Sequence, residues 1–192
     1  MQRLKFWATW LGIGVVSLAA FGFITLMIYQ HFSDGPTGPL TGGPFSTGQM
    51  TPLPTANWSK LEGDFEFELV SQGTSRTAGG ILVDNELYIS CDLGFIWARL
   101  PDGGAKYMLH LIWLLKDWHE KALSDGRIRI RKDGKVYSAE IELVRDTAKV
   151  EALKSALEVL AADFFKPTKL PPRPAEEPND IWFFKVKERA AS

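Results

Sequence analysis

The chain has 192 residues, 45% of them hydrophobic and 23% charged, with a formal net charge of −1. That length holds one ordinary domain with appendages and excludes two barrels in tandem, while the balanced charge gives no sign of nucleic acid as a partner. A single cysteine, Cys91, excludes an internal disulfide and a cysteine-built zinc site.

Residues 1–5 form a short basic tip carrying Arg3 and Lys5, and 6–29 (FWATWLGIGVVSLAAFGFITLMIY) contain no charged residue. As a helix this stretch would be about 35 Å long, enough to cross a hydrocarbon core with some tilt. Trp7, Trp10 and Tyr29 fall where interfacial aromatics belong, and no Lys or Arg follows until Lys60. A single-pass anchor in an inner or plasma membrane is expected, in contact with lipid, its N-terminus cytoplasmic and the main domain outside. A cleaved signal peptide, with Ser17-Leu18-Ala19 near the cleavage position, is the alternative.

Residues 30–56 are dominated by Gly, Pro, Ser and Thr, a composition too poor in apolar side chains for a core of its own. If flexible, the segment would span about 25–30 Å. Asn57-Trp58-Ser59 fits the glycosylation acceptor pattern, which matters only in a eukaryotic secretory pathway. The main domain then spans 57–189. FEFELV (65–70) reads as a strand with Phe65, Phe67 and Leu69 on one face, and QGTSRTAGG (72–80) as a polar loop. Residues 81–83 and 86–91 form a hairpin turning at Asp84-Asn85, with Leu87, Ile89 and Cys91 facing the core. Tyr107 to Leu115 is nearly all apolar and is either a buried strand or a surface against lipid or a partner.

Asp117 and Glu120 match a capping box for a short helix that Gly126 ends. Arg127–Arg131 and Lys135–Val144 are hairpin strands joined at Asp133-Gly134. Counting from that turn pairs Arg131 with Val136, Ile130 with Tyr137, Arg129 with Ser138 and Ile128 with Ala139. Ile128, Ile130, Tyr137, Ala139, Ile141 and Leu143 then share the core face, and the arginines share the other. A helix capped by Asp146 or Thr147 carries Val150, Leu153, Leu157, Leu160 and Phe164 on its apolar stripe, with Lys149, Glu151, Lys154 and Glu158 in water. A proline-rich loop leads to a last strand, IWFFKV (181–186).

Trp118 opening a short helix, the basic strand, the D-G turn, the strand YSAEIELV, ELYISC, and the ending WFFKVKER together resemble the split β-barrel proteins. These include pyridoxamine-phosphate-oxidase-like flavoproteins and the deazaflavin-dependent nitroreductase-like group, and the resemblance covers most of 65–189. GPLTGGPFSTG followed by NWS is similar to the juxtamembrane segment of bacterial membrane-anchored split-barrel proteins, so a barrel-hugging segment stands beside the flexible one. The implied fold is mainly β with α: a split barrel with flanking helices after one transmembrane helix. The implied cofactor is FMN or a deazaflavin, held in a homodimer. Ser75, Arg76 and Thr77 lie where the nitroreductase-like group binds a cofactor phosphate, and Lys116 with Trp118 would meet the cofactor's body. Lys121 stands where that group has an asparagine and Gly126 where it has a proline, so the asparagine's contact does not transfer.

No hydrolase, Walker or Rossmann motif is present, and His31, His110 and His119 are too scattered to suggest a metal site. Arg127, Arg129 and Arg131 form a basic row that is either a solvated strand face or a contact for a phosphate or headgroup. Two functions follow: a membrane-anchored flavin- or deazaflavin-dependent reductase acting on a quinone-like or nitro-aromatic acceptor, or a non-catalytic module that binds a ligand or an envelope partner. No residue is singled out as catalytic.

Overall fold

The structure is a computed structural model that describes residues 2–37, 41–54, 57–92, 117–164 and 181–189. Tyr107–Leu115, His110, Lys116 and the proline-rich loop lie outside these residues.

Helix α1 (Gln2–His31) begins the chain. Its stretch Trp10–His31, 22 residues with a mean hydropathy of 2.3, is long and apolar enough to cross a membrane. Its large apolar side chains from Trp10 to Tyr29 are exposed, so no protein core accounts for them.

Seven strands follow among the described residues: β1 (Gln49–Met50), β2 (Gly63–Leu69), β3 (Thr74–Val83), β4 (Glu86–Asp92), β5 (Arg127–Lys132), β6 (Lys135–Leu143) and β7 (Ile181–Glu188). Among the described residues two helices are interleaved, α2 (Trp118–Ser124) and α3 (Thr147–Phe164), with a 3-10 turn at Trp58–Leu61. The order β6-β5-β2-β3-β4-β7 closes on itself because β7 also pairs with β6, and every pairing within this ring is antiparallel. The result is a six-stranded barrel, which removes the unpaired edges an open sheet would leave. β1 adds a short parallel strand beside β6.

Strand alternation divides the side chains into two cores. Phe65, Phe67, Leu69, Leu87, Ile89, Cys91, Ile128, Ile130, Ala139, Ile141 and Phe184 fill the barrel, and Trp58, Leu61, Trp118 and Ala122 close over them. On the outside, Ile81, Tyr88, Ile181 and Phe183 pack under Leu153 of α3. The register of the β5–β6 hairpin matches the count outward from Asp133-Gly134, pair for pair. The β3–β4 turn also lies at Asp84-Asn85, whose φ angles of 53° and 58° suit the short hairpin loop.

Three local readings are corrected. The polar stretch 72–80 is not a loop: from Thr74 onward it is strand β3, paired with β2 over seven residues from Gly63–Gly80 to Leu69–Thr74. Its inward positions Ala78 and Gly80 are small because the Phe65 ring and the Leu61 carbonyl occupy that space; a Cβ on Gly80 would meet Leu61 O at 2.6 Å. The alternating apolar signature of a strand is therefore supplied by its neighbours. The Asp117–Glu120 capping box does not form: Asp117 makes no side-chain cap bond and instead pairs with Lys121 at 2.7 Å. Finally, the stripe of α3 departs from the expectation: Val150, Leu153, Ala156 and Leu157 pack on the outer core, and Phe164 lies outside the residues whose side chains are described. Leu160 and Val159 are exposed, whereas Lys154, expected in water, is buried and bonded to Glu151. Asp146 caps α3 through the Lys149 amide at 2.7 Å.

Candidate functional site

Three consecutive strand residues, Ser75, Arg76 and Thr77, are sent to alternate sides of β3. Arg76 pairs with Phe67 and points into the barrel, and Ser75 and Thr77 face outward beside Glu68 and Glu66. They do not converge as a phosphate cradle would require.

The inward residue meets α2. The Arg76 guanidinium lies 5.9 Å from the ring centroids of both Phe67 and Trp118, and those rings contact each other edge to face at 5.0 Å. Trp118 is held in turn by Phe184 at 5.3 Å. Burial pushes the Arg76 pKa down, and the charges of Asp117 and Cys91 oppose that push. A guanidinium remains cationic under any ordinary condition. Hydrogen bonding from Lys121 holds Asp117 below the usual carboxylate range, with Arg76 adding to the effect. Nε of Arg76 is buried and has no hydrogen-bond acceptor among the described residues. Thus a half-buried cation, flanked by an indole and a phenyl ring, keeps one donor unspent at the end of the barrel where α2 starts. Of the five predicted residues, Arg76 and Trp118 are brought together, Ser75 and Thr77 are not, and Lys116 is outside the described residues.

Ser75 is engaged elsewhere. Its Oγ donates to Gly43 O at 2.5 Å, and its backbone exchanges hydrogen bonds with Gly42 in both directions at 2.9 and 3.0 Å. Gly42 and Gly43 belong to the segment after α1, whose described parts wrap the barrel as a collar. The Phe45 amide donates to buried Glu68 at 2.8 Å, and Glu68 also pairs with Arg129 at 2.6 Å. Arg131 reaches Asp34 at 2.8 Å and Glu66 at 2.6 Å, and lies 4.3 Å from the Phe45 ring centroid. β1 completes the attachment through Gln49 N to Gly134 O and Thr51 N to Val136 O.

The arginine row is exposed at Arg127 and increasingly covered at Arg129 and Arg131, and each of the three is already paired with a carboxylate rather than left as an open anion site. Arg127, Arg129 and Arg131 bind Asp125, Glu68 and the Asp34–Glu66 pair. Sequence reasoning missed these partners because Asp34 lies 97 positions from Arg131 and Glu68 lies 61 from Arg129. Thr77 lines an open outer groove of about 660 Å³ with Asp34, Asp64, Glu66 and Arg131. Among the described residues, no group of three or more His, Cys, Asp or Glu side chains is placed to hold a metal ion.

No protein-family model and no curated protein matches the chain. Among solved structures, a match is a Listeria innocua protein assigned as a pyridoxamine 5′-phosphate oxidase, with 12% sequence identity and a TM-score of 0.39. The match covers 68% of this chain and 86% of that one. The barrel assignment itself stands on the strand order and its closure.

Proposed function

We propose that the protein is a membrane-tethered barrel that binds an anionic, ring-bearing ligand at Arg76 and Trp118, of the flavin or deazaflavin class. The observation that carries this reading is the unspent, buried Nε–H of Arg76 held beside the Trp118 indole. A desolvated guanidinium meets an anion with charge-assisted hydrogen bonds. Trp118, only 2% exposed between Phe67 and Phe184, would hold the guanidinium in place, and Arg76 would meet the charged part of such a cofactor. Ser75 and Thr77 do not extend them, so the phosphate would be held by the guanidinium rather than by a loop of hydroxyls. When bound, the group would supply hydride transfer to a quinone-like or nitro-aromatic acceptor; the chain would bind it, orient it and exclude water.

The exposed apolar helix supports the tether, and Arg3 and Lys5 before it, with no following cation until Lys60, support a cytoplasmic N-terminus. A non-catalytic interaction module is the second reading, favoured by the commitment of Ser75 Oγ to Gly43.

The test is titration of the full chain, in detergent, with FMN and with a deazaflavin, followed by the same titration of Arg76→Met and Trp118→Leu. Loss of one charge-assisted hydrogen bond corresponds to a roughly 10- to 100-fold weaker complex. Equal affinity in the wild type and in Arg76→Met would place the ligand elsewhere, and no binding by any variant would leave the interaction module.

A further inference from the structure

The collar and the interior cation meet back to back on one strand. Ser75 is fully buried and holds Gly42 through two backbone hydrogen bonds and Gly43 through its hydroxyl, and the next residue, Arg76, projects through the other side of β3. Glu68, the cross-strand partner of Ser75, is tied to the same segment through the Phe45 amide, and to β5 through Arg129.

The collar is also fastened to the end of α1. A Cβ on Gly43 would meet Ser33 O at 2.6 Å and overlap the His31 carbonyl, and one on Gly42 would overlap the backbone of Gly35. Gln30, in the last turn of α1, is buried. The glycines thus permit an approach of backbone to backbone that no side chain would allow. A continuous packed route runs from the last turn of the apolar helix through Gly43 and Ser75 to Arg76.

We propose that Ser75, Gly42 and Gly43 are positioning residues for Arg76, and that engagement of the collar sets the orientation of the guanidinium and hence the affinity of the interior site. The affinity clause rests on the ligand reading above; the orientation clause does not. A strand braced on one face resists the twist that would swing its inward side chains, so release of the collar frees Arg76 without unfolding the barrel. Tether and binding site are then mechanically coupled.

The experiment follows the Arg76 Nε–Hε signal by NMR in the full chain in detergent micelles, assigned by its loss in Arg76→Lys. Ser75→Ala removes the hydroxyl bond, and Gly43→Ala strains the collar where it meets the His31 and Ser33 carbonyls. Leu153→Ala, which opens a cavity in the outer core on the far side, serves as a control for general destabilisation. Amide exchange at Phe45 reports release of the collar, and FMN titration reports affinity. Both collar variants should expose the Phe45 amide, shift the Arg76 signal and weaken FMN binding about fivefold, the equivalent of one hydrogen bond, with Leu153→Ala leaving the signal in place. An unchanged Arg76 signal in a variant whose Phe45 amide has lost protection would overturn the coupling, as would an equal shift in Leu153→Ala. If the wild type binds neither FMN nor a deazaflavin, the ligand reading falls and the Nε–Hε signal still decides the coupling.

Discussion

Asp34 shows how much the collar depends on single charges. Partial burial pushes its carboxyl up, but hydrogen bonds from Thr47 Oγ1 and the Ser46 amide, and the hydrogen bond and charge of Arg131, outweigh that and hold it well below the usual carboxylate range. Asp125 is held at about 2, first by the side-chain hydrogen bond from Arg127. Both folded values are depressed, so the stabilisation is complete above the unfolded value of about 4. It is lost as the pH falls from there through the folded values, to about 2 for Asp125. Thermal melts should therefore decline below about pH 4. Asp34→Asn should cost about 1 kcal/mol at neutral pH, after discounting for the exposure of the carboxylate, and the gap from wild type should narrow on acidification. A constant gap between pH 7 and pH 2 would contradict this assignment. Arg76 is different in kind: its surroundings are rings and an unspent donor, so its replacement by Met should alter ligand binding far more than melting.

Elements explain why composition misled at the collar and informed elsewhere. In the collar Gly35, Gly42, Gly43 and Gly48 serve close packing, and a linker would carry the same letters for the opposite reason. Gly42→Ala should cost about 2–3 kcal/mol by overlap with the Gly35 backbone. Gly134→Ala meets nothing within 4 Å and carries only the strain of φ +71°, about 1 kcal/mol. Chemical denaturation of the two variants gives this order, and equal costs would mean that the collar does not pack. The β5–β6 hairpin was legible to the residue because a two-residue turn fixes the register and one face is buried. β3 was not, since an inward Ala78, an inward Gly80 and an inward Arg76 break the alternation on which strand reading rests. The same break concealed the site: Arg76 and Trp118 could be named from the sequence, but only the strand's pleat separates Arg76 from Ser75 and Thr77. The partners of Arg129 and Arg131 come from distant strands and the collar, and local spacing carries no trace of them.

At the scale of the molecule, a closed barrel is mounted through a packed collar on an apolar helix. Alkaline extraction should leave the chain in the membrane pellet with residues 1–19 still attached by mass spectrometry; a soluble product trimmed near Ala19 would instead indicate a cleaved signal. Whether the barrel's interior cation serves a flavin- or deazaflavin-class ligand, as proposed, is tested by a visible absorption spectrum of the full chain purified in detergent without added cofactor, followed by denaturation and analysis of what is released. The expected result is a stoichiometric yellow chromophore that is retained by the wild type and lost from Arg76→Met. A colourless wild type that also takes up neither FMN nor a deazaflavin would contradict it.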